Sequence, residues 1–300
     1  MGANLKEVRE RISSIVNTQK STKAMKMVSA AKLRRAQEAI VKLRPYSDKL
    51  DHILRNILSN IDGDLNLDFS KERDPEKVVI VLITSNKGLA GAFNTNLIKQ
   101  AVNLLDKKYA AQRQAQQVEV ICIGKKGFDY IRRHYPDVTI NKDFVTLFDD
   151  LSYQNLMKVS SLAMDDFTAG KVDRVEVIYS KFKNAGIQLP EAKQFLPVET
   201  VKIYSDSSQK ESFKADYLFE PNKEDLLEEL IPSILHTKFQ KYILDTHASE
   251  HGARMTAMDM ATENANDLLK DLKITYNKAR QESITNEISE IVGGAAALKS

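Results

Sequence analysis

His247-Ala248-Ser249-Glu250-His251 is the segment of this chain whose residue types come nearest to a reaction centre. Two histidines four apart share one helical face. With a glutamate between them they fit the H-x-x-E-H order of inverted zinc peptidases. A catalytic zinc takes three protein ligands, and such peptidases draw the third from well downstream. Here Glu263 and Glu282 lie on the same straight helix and cannot fold back. The pair therefore reads as solvated histidines on a long helix, with zinc catalysis the lesser alternative.

Thr84-Ser85-Asn86-Lys87-Gly88-Leu89-Ala90-Gly91 lies between an expected strand and an expected helix, where a phosphate-binding loop would sit. Its spacing matches neither G-x-G-x-x-G nor G-x-x-x-x-G-K-[ST], and Gly124-Lys125-Lys126-Gly127 does no better. A tight strand-to-helix turn is the simpler reading. No nucleophile stands beside a base, since histidines are scarce and Cys122 falls in mid-strand. Lys20, Lys23, Lys26, Lys32, Arg34 and Arg35 cluster within sixteen residues, as in a DNA-reading basic helix. Such helices dimerise through a leucine heptad on the same helix, which is missing after Arg35, as are nearby aromatic residues for stacking. A cationic helix meeting an acidic protein surface explains the charge equally well. Enzyme and nucleic-acid readings are thus the minority.

The elements that must carry these residues fall into three parts. Between Ala3 and Asp62 there is no glycine and only Pro45, and apolar or small residues recur at Leu5, Val8, Ile12, Ile15, Met25, Val28, Ala36, Ile40 and Leu43. A helix of that extent would reach roughly 85 Å, with a bend near Pro45 and a stop at Asp62-Gly63-Asp64. A second helical tract starts near Pro221-Asn222, is interrupted by Pro232 and Gly252, and is closed by Gly293-Gly294. Ala253, Ala257, Ala261 and Ala265 mark one face of it, followed by Leu268, Leu272, Tyr276, Ala279 and Ile288, and Ser29, Ala30, Ala31 and Ala36 are its expected partners. Because both tracts join the same middle region, they can pair only antiparallel. The second is the longer and overhangs by roughly 20 Å, leaving an apolar tip at Ile288, Ile291, Val292 and Ala295 to Leu298.

The middle alternates β-rich runs with amphipathic helices, which predicts a parallel sheet. Strands are expected over 78–84, 118–123, 138–140, 175–179 and 198–204, and helices over 95–114, 125–135 and 152–169. The fold class is α/β with long helices: an antiparallel coiled coil of N- and C-terminal helices plus a central Rossmann-like α/β domain. The corresponding segments are 1–73, 74–216 and 217–300.

Composition agrees with this outline. At 28% charged and 42% hydrophobic residues, the 300-residue chain is neither disordered nor collagenous. Its apolar runs fall far short of the roughly 20 residues that span a bilayer. The single cysteine cannot form an internal disulfide, so a reducing compartment is expected. The first fifty residues hold twelve Lys/Arg against four Asp/Glu, and the remainder carries a slight acidic excess. A transit peptide has this character, but the pattern runs on without a cleavage-type break and is read as mature chain.

Two segments carry a resemblance. Arg11-Ile12-Ser13-Ser14-Ile15-Val16-Asn17-Thr18-Gln19-Lys20-Ser21-Thr22-Lys23-Ala24-Met25-Lys26-Met27-Val28 closely resembles the opening of the gamma subunits of rotary F-type ATP synthases. Ile284-Thr285-Asn286-Glu287-Ile288-Ser289-Glu290-Ile291-Val292-Gly293-Gly294-Ala295 resembles that family's carboxy-terminal signature. Tyr276-Asn277-Lys278-Ala279-Arg280-Gln281 and the 248–268 stretch look like its preceding helix, and Lys87-Gly88-Leu89-Ala90-Gly91 is similar to its Arg-Gly-Leu-Cys-Gly loop. The resemblance implies a non-catalytic central shaft, without nucleotide, metal or other cofactor. Its terminal helices would sit within three alpha and three beta subunits, and its α/β domain would stand on the membrane c-ring beside the epsilon subunit. Neither nucleic acid nor membrane insertion is implied. The expected location is peripheral, on the cytoplasmic face of a bacterial inner membrane or on a mitochondrial matrix face.

Carried across by position, Met25 and Lys26 would face the beta subunits near Arg254. Arg280 and Gln281 would catch a loop of one beta subunit. Thr285 and Glu287 would make contacts within and around the shaft, and 288–298 would form the tip in an apolar sleeve. Without the motif, Arg280 is an ordinary solvated helix charge. The regulatory dithiol of chloroplast relatives is absent, since Cys122 is the only cysteine. The rival reading is a free-standing scaffold with a coiled-coil arm.

Overall fold

The computed structural model describes residues 5–59, 69, 71–198 and 223–297. They form two compact units, Met1–Ala30 with Arg254–Ser300, and Ala31–Ala253. The long helices α1 (Leu5–Ser59) and α6 (Lys223–Ala297) contribute to both.

The larger unit is built on one described sheet of five strands. In chain order these are β1 (Val78–Ile83), β2 (Val118–Ile123), β3 (Thr139–Asn141), β4 (Arg174–Asn184) and β5 (Ile187–Leu196). Their spatial order is β3-β2-β1-β4-β5. β1 runs parallel to both neighbours, with Val78 opposite Val118 and Val79 opposite Val175, and β2 is parallel to β3. Helices cover both faces, which is why β1 reads as an unbroken apolar run rather than an alternation. Its odd residues Val79, Val81 and Ile83 face Val159, Ala163 and Phe167 of α5 (Tyr153–Thr168) and Leu235, Phe239 and Ile243 of α6. Its even residues Val78, Ile80 and Leu82 face Leu97 and Ala101 of α2 (Phe93–Asn103) and Ile131 of α4 (Lys125–His134). Between α2 and β2 lies the short α3 (Ala110–Gln114).

Four expectations need correction. First, the sheet is not wholly parallel, because β5 pairs antiparallel with β4. Its polar residues and Pro190 conceal it in the sequence. Proline is tolerated because β5 is an edge strand, with one side free of ladder bonds. Asn184 makes the reversal, its side-chain oxygen accepting from the backbone N–H of Gly186 at 3.0 Å and of Ile187 at 2.8 Å. The strand expected over 198–204 lies, beyond Val198, outside the described residues.

Second, the helix expected over 95–114 is interrupted by a π-helical turn, Leu104–Lys108. The extra residue lets Lys108 reach Glu176 at 2.5 Å while the adjacent Tyr109 hydroxyl donates to the same buried carboxylate at 2.7 Å.

Third, α6 runs unbroken through Pro232 and Gly252. A proline forfeits one hydrogen bond and crowds the preceding turn. Burial of Ile231, Leu235 and Phe239 against the sheet holds the helix through it. Gly252 lets the hairpin turn approach closely, since a Cβ there would lie 3.2 Å from the Ala185 Cα.

Fourth, Gly293 and Gly294 do not end the helix, which continues to Ala297. A glycine stop needs the left-handed conformation, and among the described glycines only Gly91, Gly124 and Gly170 have positive φ. The stop at Asp62 and the start at Pro221 fall outside the described residues.

Candidate functional site

The chemistry-bearing segments of the larger unit are engaged internally. Thr84 and Ser85 are fully buried at the end of β1. Thr84 Oγ1 accepts from the Gly127 N–H at 2.8 Å, and the Ser85 N–H donates to Asn94 Oδ1 at 3.0 Å. The Lys125 N–H donates to Asn86 Oδ1 at 3.2 Å, and that of Lys126 to the Ser85 carbonyl at 3.1 Å. Donors that a phosphate would take thus fasten the loop to the start of α4. Gly124, at φ 93°, permits this closeness, because a Cβ there would lie 2.0 Å from the Thr84 carbonyl oxygen. Cys122 is buried in β2, where burial pushes its thiol up to about 12, far from nucleophilic use at neutral pH. His251 and Glu250 are buried rather than solvated, and only His247 keeps partial exposure. That part of the sequence reading is corrected: this stretch of α6 packs within the larger unit.

The smaller unit holds the residues singled out by resemblance. Along α1, inward positions are Leu5, Val8, Ile12, Ile15, Gln19, Thr22, Lys26 and Ser29. Along α6 they are Met258, Thr262, Ala265, Leu269, Leu272, Tyr276 and Ala279. Both sets step by alternating threes and fours, the seam of a left-handed coiled coil. This differs from the expected stripes. Met25, Val28, Leu268 and Ile288 are 40%, 57%, 49% and 56% exposed, whereas Thr22, Ser29 and Leu269 are buried. A four-residue repeat drifts around the helix, but a 3-4 alternation stays on the facing side.

Polar pairs set the register. The Arg9 guanidinium donates to the Tyr276 hydroxyl at 3.1 Å. Gln19 donates to Asn266, Thr22 and Thr262 share a 2.8 Å hydroxyl contact, and Lys26 pairs with Asp259. From Arg9 to Lys26 the α1 numbers rise by as much as those of α6 fall from Tyr276 to Asp259, so the helices are antiparallel. Polar groups at seam positions favour one register, because a slip would leave them facing apolar neighbours.

Met25 and Lys26 sit together on α1, with Arg254 partly exposed on α6 a little over one turn from Asp259. The sequence reading missed Asp259, whose only signal was an acidic residue on the expected partner helix. Arg280, Gln281, Thr285 and Glu287 are all exposed and form a second group on α6, beginning roughly 40 Å beyond Arg254. Within that group Thr285 Oγ1 donates to the Gln281 carbonyl at 2.9 Å. From Ile284 to Ala295 every α6 residue is exposed, including Ile288 at 56%, Ile291 at 71% and Val292 at 62%. Among the described residues no helix is long and apolar enough to cross a membrane.

A family model described as ATP synthase matches residues 4–298. The ATP synthase gamma chain of Cytophaga hutchinsonii is 49% identical over 98% of this chain and 99% of its own length. That of Flavobacterium psychrophilum is 50% identical over 99% of each. The fold is similar to a chain in a cryo-EM structure of the Euglena gracilis mitochondrial ATP synthase, OSCP/F1/c-ring, rotational state 3. The TM-score is 0.65 at 21% identity, over 98% of this chain and 94% of that one. With near-half identity running from end to end and the long-helix architecture in common, the chain belongs to the ATP synthase gamma chain family.

Proposed function

We propose that the chain is the central rotor shaft of an F-type ATP synthase, coupling rotation of a proton-driven or sodium-driven membrane ring to conformational change at catalytic sites on the beta subunits. As a gamma chain it is a non-catalytic subunit. Its partners are three alpha and three beta subunits, an epsilon subunit and the c-ring. The location is peripheral, on the cytoplasmic face of a bacterial inner membrane, where the complex serves hydrogen ion transport and ATP synthesis.

The observation that supports this reading best is the asymmetry of the smaller unit. Two helices locked in register present unlike faces around their axis, and α6 continues past the paired seam with isoleucine and valine exposed. An asymmetric shaft acts by differential contact: each orientation stabilises a different conformation in each surrounding subunit, and turning it shifts those populations. In this reading Met25, Lys26 and Arg254 form one contact group facing the beta subunits. Arg280 and Gln281 catch a beta-subunit loop, and Thr285 and Glu287 extend that contact toward an apolar sleeve around the tip. The proposed segments are 1–73 and 217–300 for the shaft and 74–216 for the ring-facing domain. In the assembled complex, Arg280→Ala with Gln281→Ala should lower coupled ATP turnover several-fold while one copy of the chain remains bound. Unchanged turnover would argue for the scaffold instead.

A further inference from the structure

Within the larger unit, α1, the end of β4 and α6 enclose a cavity of about 450 Å3. Four cations line it from those three elements: Arg44 on α1, Lys181 and Lys183 on β4, and Lys241 on α6. The acids in its lining are Asp48 and Asp245, so an excess of two positive charges remains when both are ionised. Among the described residues, none of the four cationic side chains has an ion-pair or hydrogen-bond partner. Elsewhere in this unit such groups are matched, Lys108 with Glu176 and Arg113 with Asp106 and Asp137. Unmatched like charges repel one another, and an anion among them relieves that repulsion. Ile40, Leu43 and Phe182 make part of the wall apolar, which strengthens the attraction by lowering the local dielectric.

We propose that this cavity binds a small, soluble oxyanion of the phosphate class through Arg44, Lys181, Lys183 and Lys241, and that binding is coupled to uptake of a solvent proton by Asp245. A tetrahedral oxyanion presents oxygens in several directions and so meets cations on three elements at once, whereas a carboxylate offers two oxygens in one plane. The volume falls within the range of small-molecule sites and leaves room for two linked phosphoryl groups. Asp245 supplies the proton coupling. Its carboxyl is buried, and burial holds it up at about 6, aided by Glu191 on β5 and opposed by Lys241, Lys181 and Arg44. Lys183 and Asp48 share the cavity with it. The neighbouring hydroxyls of Tyr179 and Tyr242 are pushed well up by burial and stay neutral. Below about pH 6 the carboxyl is neutral and the cavity more positive, so an anion binds more tightly there. Once bound, it ties the β4–β5 hairpin to both long helices.

Calorimetric titration of the full chain with sodium pyrophosphate, in chloride buffer of constant ionic strength, tests the site. One pyrophosphate per chain is expected. Lys181→Gln with Lys241→Gln should weaken binding at least about tenfold, the loss expected when charge-assisted hydrogen bonds are removed. Lys107→Gln with Lys142→Gln makes the same charge change at exposed positions outside the cavity and should leave affinity unchanged. Sulfate then reads the proton, because its own charge is constant over the range. The parent should bind sulfate at least about tenfold more tightly at pH 5 than at pH 8, and Asp245→Asn should bind it equally at both. Absence of saturable binding, equal loss in the two double variants, citrate binding as tightly as pyrophosphate, or a parent affinity for sulfate indifferent to pH would overturn the proposal. The parent's own titrations need no variant, so the result stands whatever the stability of Asp245→Asn.

Discussion

Thr22 on α1 and Thr262 on α6 meet hydroxyl to hydroxyl at 2.8 Å in a seam that would ordinarily be apolar. Each hydroxyl also reaches a carbonyl of its own helix, Gln19 at 3.0 Å and Met258 at 2.7 Å. Two protons thus serve three contacts, and one of the three is given up at any moment. Because each partner keeps a local acceptor, Thr22→Val or Thr262→Val should cost about 1 kcal/mol or less. The double variant should cost less than the sum, with a coupling of about 0.5 kcal/mol or more. Denaturant melts of the four chains measure it, and strict additivity would deny the contact.

Lys26 and Asp259 lie on the same seam, with side chains 39% and 47% exposed, so solvent screens the pair. Reversing one charge should destabilise the helix pair by roughly 0.5–1 kcal/mol at low salt, and exchanging the two residues should restore it. The exchange also separates roles. If melting recovers but coupled turnover in the assembled complex does not, Lys26 acts on a neighbouring subunit as well as on Asp259.

Asp245 is buried in α6, and that burial pushes its carboxyl from 3.8 up to about 6, further raised by Glu191 and opposed by Lys241, Lys181 and Arg44. The folded chain holds this proton more tightly than the unfolded one. The resulting stabilisation is complete below pH 3.8 and is lost as pH rises through about 6. Asp245→Asn removes that loss, so the variant should be more stable than the parent at pH 8 by on the order of 3 kcal/mol. The difference should shrink toward zero near pH 4. A pH-independent difference would contradict the assignment.

Glycines inside α6 should respond in opposite directions. Gly293 and Gly294 have nothing within 4 Å of the place a Cβ would take, so alanine at each should gain up to about 1 kcal/mol of helix propensity. Gly252 lies against the hairpin backbone, with the Ala185 oxygen at 3.3 Å and the Phe182 ring at 3.5 Å from a Cβ. Gly252→Val should therefore cost about 1–3 kcal/mol through overpacking. Thermal melts compare them directly, and stabilisation by Gly252→Val would remove the packing argument.

The parts legible in the sequence were those where one physical demand dominates. β1 is a continuous apolar run and β2 is interrupted only by Glu119, because both faces are covered, and their bounds match the expectation within a residue. β5 was hidden because an edge strand keeps polar residues and tolerates Pro190. The seam was misread because a search for apolar residues selects Met25, Val28 and Leu268, while the facing line passes through Thr22, Lys26, Ser29 and Leu269. Periodicity alone would have found it, had polar residues been admitted. The contact groups were visible only through resemblance, since Arg280 and Gln281 are ordinary exposed residues of a helix. The pairing of Lys26 with Asp259 depends on register, which only the folded helix pair supplies.

The central claim is that this chain turns within a ring of other subunits, and direct observation of turning tests it best. The chain would be assembled with alpha and beta subunits fixed to a surface, and a bead attached at exposed Lys142 of the larger unit. ATP should drive rotation in one direction, with torque reduced by Arg280→Ala and Gln281→Ala. An assembled complex that hydrolyses ATP while the bead stays fixed would contradict the account.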